Sequence, residues 1–160
     1  MSNLIQSNQV ITLPAVASIT NLISATDSGK IVIIPTQLAA QTFTLPLPSP
    51  GLCYKFIVNG LLGFNVTIST NPISLFYGNL YNKTTAPIST AMAAANAGVG
   101  TQVNFNAAKG GATFITFLST ATIGTMVDVV SDGNYWYVNG LWMGAGITLA
   151  TGGLNYFIFN

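Results

Sequence analysis

About every 8–12 residues Gly, Pro, Asn or Ser interrupts this chain, and between the interruptions run short segments rich in Val, Ile, Thr, Phe and Tyr. Such punctuation leaves little room for long helices. It predicts an all-β fold: an antiparallel β-sandwich, jelly-roll-like, with about ten short strands. Candidate strands lie near 9–13, 30–34, 41–45, 52–58, 64–69, 101–106, 112–118, 125–131, 134–139, 146–150 and 154–159. Period-two alternation supports several of them. Leu52, Tyr54, Phe56 and Val58 share one face against Cys53, Lys55 and Ile57, and Phe64, Val66 and Ile68 oppose Asn65 and Thr67. The one stretch with helical propensity, Ala-rich 89–97, is too short to stand alone.

At 160 residues the chain is one domain's worth, read here as a single β-sandwich over 1–160. An N-terminal arm is expected over about 1–28 and a long irregular loop over about 71–100, where Pro72, Gly78, Pro87, Gly98 and Gly100 are spread among aromatics and small residues. Pro46, Pro48 and Pro50 exclude a central strand between residues 45 and 51, since proline lacks the ladder donor.

In the segment 126–139, Asp132-Gly133 signals a hairpin turn. A two-residue turn there sets Ser131 against Asn134, Val129 against Trp136 and Val127 against Val138. Val127, Val129, Trp136 and Val138 then share an apolar side that must be buried, while Met126, Asp128, Val130, Tyr135 and Tyr137 point the other way. Trp136 is therefore expected to anchor the core. Tyr135 and Tyr137, with Trp142 further on, are the candidate contacts for an oligomer or a ligand. The aromatic segment 154–159 adds Tyr156, Phe157 and Phe159, placed to pair with a neighbour's sheet edge.

Charge narrows the chemistry. The ionic side chains are Lys30, Lys55, Lys83, Lys109, Asp27, Asp128 and Asp132, 4% of the chain, with no His, Glu or Arg. Histidine-based triads and histidine-bearing zinc or iron sites are excluded, and nothing in the spacing brings two candidate catalytic groups together. The expectation is a protein that is not an enzyme, with no cofactor and no metal site. Four separated lysines form no stripe for phosphate, so no nucleic acid partner is expected. Every apolar run is broken well short of the ~20 residues of a spanning helix, so no membrane span is expected. The first residues carry no basic, apolar leader, which favours synthesis in a cytoplasm, and the single Cys53 excludes an internal disulfide.

A compact monomer of 16.7 kDa exposes about 7,600 Å². With so few charges that surface must be neutral polar or covered, and a net charge of +1 supplies little self-repulsion. Association with further copies of the chain resolves both. Threonine is frequent in the strands, yet no T-x-T ladder recurs at a fixed spacing.

One pattern has a wider echo. A strand ending in Leu45-Pro46, a strand opened by Gly51 with Tyr54 and Phe56, Val66 to Ile68, Ile123-Gly124, and the run Ser131 to Val138 together resemble modules of phage and giant-virus structural proteins. The resemblance spans about residues 30 to 140. It implies an all-β, self-assembling virion component, whether capsid, decoration or cement, tail or fibre. The partners implied are copies of itself, as a trimer or larger, and other virion proteins, assembled in a host cytoplasm. The segment 84–100 and the tail 152–160 depart from that pattern. A different class of function, a glycan- or receptor-binding β-module for host attachment, would use Trp142 and the tyrosines as stacking platforms, with Asn and Thr for the sugar hydroxyls.

Overall fold

The computed structural model describes residues 10–16, 21–71, 74–83, 102–105, 111–143, 147–151 and 154–156. Its strands, in chain order, are β1 (Val10–Thr12), β2 (Asn21–Leu22), β3 (Ile31–Ile34), β4 (Gln41–Thr44), β5 (Cys53–Val58), β6 (Val66–Ser69) and β7 (Phe76–Lys83). They continue with β8 (Gln102–Phe105), β9 (Phe114–Phe117), β10 (Met126–Ser131), β11 (Trp136–Met143), β12 (Ile147–Thr151) and β13 (Leu154–Tyr156). A single 3-10 turn, Ala25–Asp27, is the only helical element among the described residues. The helical stretch expected at 89–97 lies outside them.

The strands form a seven-stranded sheet in the order β1-β3-β5-β10-β11-β7-β8 and a six-stranded sheet in the order β13-β12-β9-β6-β4-β2. An all-β, two-layer build is thus as expected, but the antiparallel arrangement is not. Both sheets are mixed: β1 with β3, β3 with β5, β2 with β4, β4 with β6, and β7 with β11 run parallel. The reason lies in the connections. From β1 to β6 the chain crosses to the other sheet after every strand, so it returns to each sheet in the same direction and pairs parallel to its earlier pass. A parallel pair needs a crossover of this kind. Here the opposite layer supplies it in place of a helix. The result is a flattened coil whose parallel partners are 21 to 25 residues apart, from Val10 against Ile31 to Gln41 against Val66. The antiparallel pairs, such as β5 with β10 and β10 with β11, close the seven-stranded sheet around the coil.

Two expected irregular regions contain strands. Within 1–28, β1 and β2 pair in the two sheets. Within 71–100, β7 runs for eight residues between β11 and β8, while 84–100 lies outside the described residues.

The core is the facing surfaces of the two sheets. Val32, Ile34, Tyr54, Phe56, Val58, Val127, Val129, Trp136 and Val138 come from one layer, and Phe43, Val66, Ile68, Ile115 and Phe117 from the other, all in one buried cluster. Alternation sorts them, as in β5, where Tyr54, Phe56 and Val58 are buried and Cys53, Lys55 and Ile57 are half-buried. Burying each such aromatic or aliphatic side chain contributes about 1.5–3 kcal/mol.

Polar groups inside this core are mostly tied to backbone. Gln41 Nε2 donates to Pro14 O at 2.9 Å and to Gln37 Oε1, while Gln37 Nε2 donates to Pro35 O at 2.8 Å, so one buried amide pair fixes three chain corners. Tyr54 O–H donates to Ser24 O at 3.0 Å. Burial, helped by the nearby Asp27 charge and by Cys53, pushes its phenol up to about 12. The Trp136 indole N–H has no hydrogen-bond partner among the described residues, and the ring packs at 5.8 Å from that of Tyr54.

Candidate interaction surface

The loop joining β10 to β11 is longer than a two-residue turn. Ser131 pairs with Trp136, Val130 with Tyr137 and Val129 with Val138, leaving residues 132–135 as a four-residue connection. Asp132 organises it: Oδ1 accepts from Asn134 N–H at 2.8 Å and Tyr135 N–H at 2.9 Å, and Oδ2 accepts from the Tyr137 hydroxyl at 3.0 Å. These two backbone donors, with the phenol, hold the Asp132 carboxyl below its ordinary value. The same bond raises the Tyr137 phenol, because ionising it would set an anion against the carboxylate. Gly51 N–H donates to Ser131 O at 3.0 Å, and Ser131 N–H to Leu52 O at 2.8 Å, which locks the loop's base to the start of β5.

The corrected pairing differs from the expected one by two residues, so each side chain keeps its face. Val127, Val129, Trp136 and Val138 are buried, and Tyr135 and Tyr137 point outward, 41% and 47% exposed. Tyr77 of β7 joins them, its ring meeting that of Tyr135 edge-on at 4.9 Å.

Across the outside of the seven-stranded sheet the strand registers line residues into three rows. One row holds Cys53, Val130, Tyr137 and Tyr77. A second holds Ile33, Ile57, Met126 and Leu141. Between them lie Ile31, Lys55, Asp128 and Asn139. Lys55 Nζ stands 3.3 Å from Asp128 Oδ1, with the two side chains 39% and 41% exposed. Most of the other residues in these rows are half-buried by their neighbours and have no second layer over them among the described residues. The surface is therefore apolar and tyrosine-rich, with one ion pair at its middle.

The outside of the other sheet is different. Thr42 of β4, Thr67 of β6 and Thr116 of β9 fall in one cross-strand row, with Thr148 of β12 next in register. Thr67 and Thr116 hydroxyls lie 3.1 Å apart, and those of Thr44 and Ser69 lie 2.9 Å apart. These hydroxyls bond one another, Ser69 from a buried position, and no ionic group stands in their rows among the described residues.

Among the described residues no three metal-ligating side chains converge, and no helix is long and apolar enough to cross a membrane. A groove of about 180 Å³ opens between the edge strands β1 and β2, lined by Ile11, Leu13, Ile23, Val32 and Phe43 with Asp27 at its rim. That carboxylate is already engaged by Lys30 at 2.7 Å, the contact that chiefly lowers its pKa.

Of the residues singled out in the sequence, Tyr135 and Tyr137 lie together on the apolar surface. Trp142 is placed by its backbone, in β11 opposite Asn82, and Tyr156 in β13 opposite Leu149. Phe157 and Phe159 lie outside the described residues. Met126 was already turned outward by the alternation of its strand and Ile57 shares the mixed face of Cys53 and Lys55; Ile33, Tyr77 and Leu141 carried no such mark, since Ile31 to Ile34 are all apolar, β7 lay in the expected loop and Leu141 beyond the expected strand 134–139. Only the strand order brings the five side by side.

Fold and surface together define a class: a two-layer all-β protein with mixed sheets, one face hydroxylic and the other apolar around a single ion pair. The sequence matches no protein-family model, and comparison with curated proteins and with solved structures found no match.

Proposed function

We propose that this chain is a self-assembling structural subunit of a virus or phage particle, a capsid, decoration, tail or fibre component, with no enzymatic role. The observation that carries the reading is the outer face of the seven-stranded sheet. Val130, Tyr135 and Tyr137 are each more than 40% exposed on the same face as the row from Ile33 to Leu141, and the charges described there are the Lys55–Asp128 pair at the centre and Asp132 at one end. An apolar patch of this kind on a soluble protein marks an interaction site. In a chain with only seven ionic side chains the complementary surface is most simply another copy. The viral assignment draws on the resemblance carried by Leu45-Pro46, Gly51 and Ser131 to Val138. Partners are then further copies and other virion proteins, and assembly takes place in the host cytoplasm. Native mass together with negative-stain images of the purified chain tests this. Regular rings, arrays or shells are expected, whereas a monodisperse 16.7 kDa species at millimolar concentration would refute it.

A second reading, a glycan- or receptor-binding module for host attachment, is favoured by one feature. Tyr77, Tyr135 and Tyr137 gather beside Asp132 at one end of the same face, offering rings to stack on and polar groups at their edge. Glycan-array binding that is lost in Tyr135→Ala while assembly is retained would select it over the first.

A further inference from the structure

We propose that the outer face of the seven-stranded sheet binds a second copy of this chain face to face about a two-fold axis, with Lys55 of each copy meeting Asp128 of the other. The inference rests on the self-assembly reading and names its contact. In the strand order β1-β3-β5-β10-β11-β7-β8, Lys55 and Asp128 stand on the third and fourth strands, directly opposite in register. They also occupy the middle of the three rows, with Cys53, Val130 and Tyr137 on one side and Ile33, Ile57 and Met126 on the other. Among the described side chains the face therefore carries one positive and one negative group at its centre, and its other charge, Asp132, sits at one end bonded to the Tyr137 hydroxyl.

Such an arrangement is complementary to itself. A two-fold axis makes residue i of one copy contact residue j of the other, and j contact i. An axis passing between Lys55 and Asp128 sets each ammonium over the opposing carboxylate, giving four alternating charges. The apolar rows then close over one another, excluding water from the ion pairs. A partner of strong single-sign charge would leave one of the two groups facing a like charge. The geometry is ordinary for sheets, since two faces pack about 10 Å apart with their strands turned by roughly 30°. The six-stranded sheet offers no equivalent, because no ionic group stands in its described outward rows, where Thr67 bonds Thr116 and Thr44 bonds Ser69 between the apolar Leu22 and Phe114.

Charge reversal tests the contact, read by sedimentation equilibrium of the full chain. Lys55→Asp leaves four carboxylates facing across the axis and Asp128→Lys leaves four ammonium groups. Each variant alone should self-associate about 100-fold more weakly than wild type. Mixed in equal amounts, the two should recover the wild-type association through contacts that pair one variant with the other, and the double variant Lys55→Asp/Asp128→Lys should recover it alone. Recovery in the mixture also shows that both variants are folded. Wild-type association that K55D and D128K leave unchanged, or a mixture or double variant that fails to regain it, overturns the two-fold contact while leaving self-assembly intact. A wild-type chain that stays monomeric removes both.

Discussion

An added Cβ at Gly78 would sit 1.9 Å from the carbonyl oxygen of Val138, its parallel partner in β11, and the residue's φ is +139°. Neither the neighbour nor the dihedral can yield, since both belong to the sheet ladder. Gly78→Ala should therefore cost about 3 kcal/mol or more. Gly29→Ala meets nothing within 4 Å and suffers only from φ +82°, so about 1–2 kcal/mol is expected there. Urea unfolding midpoints separate the two. Asp132 and Tyr137 make a prediction in pH. A carboxyl held below its unfolded value stabilises the fold fully above that value, about 4, and the contribution disappears as pH falls through the folded pKa. A phenol held above its unfolded value of about 10 contributes fully below it, and the contribution disappears as pH rises through the folded pKa. The stability difference between wild type and Asp132→Asn should hence be flat from about pH 5 to about pH 9 and shrink below about pH 4. A difference that varies across neutrality in denaturation curves would contradict the bonding of Asp132 Oδ2 to Tyr137.

At the scale of elements, β5, β10 and β11 are central, each paired on both sides, whereas β1 and β2 are edges of three and two residues. Amide exchange should be slowest in Tyr54, Phe56, Val127 and Val129 and fast at Val10 and Leu22. Equal protection at both places would mean that the coil's first turn is as firmly held as its centre. The strands legible in the sequence were those with unbroken alternation, such as Cys53–Val58 and Met126–Ser131. β7 was not, because Gly78, Asn79 and Asn82 interrupt its pattern, and Gly78 is there for closeness to Val138 rather than for a turn. Parallel pairing was missed because alternation reports which face a residue takes and is silent on the direction of the neighbour. A trace was present: Pro14 and Pro35, 21 residues apart, follow β1 and β3 in the first turn of the coil. The threonine row was hidden for a similar reason, since Thr42, Thr67 and Thr116 are brought together from strands 25 and 49 residues apart. Outward Tyr135 and Tyr137 were legible because a register error of two residues preserves parity.

For the molecule as a whole, the scarcity of charge is met differently by its two outer faces. Thr42, Thr67 and Thr116 let one sheet face water with neutral hydroxyls, and the other sheet shows Val130, Tyr137 and the Ile33 to Leu141 row. That second face is where covering by another copy gains most, because two apolar rows flank the central Lys55–Asp128 pair, which is neutral overall. Hydroxyl-radical footprinting compares the faces directly in dilute and concentrated solution. Tyr135, Tyr137 and Met126 should oxidise more slowly as the chain associates, while Phe64, 46% exposed in a loop, keeps its rate. Unchanged oxidation of all four in a sample whose mass has risen above 16.7 kDa would place the contact on another surface and contradict the burial of this sheet face.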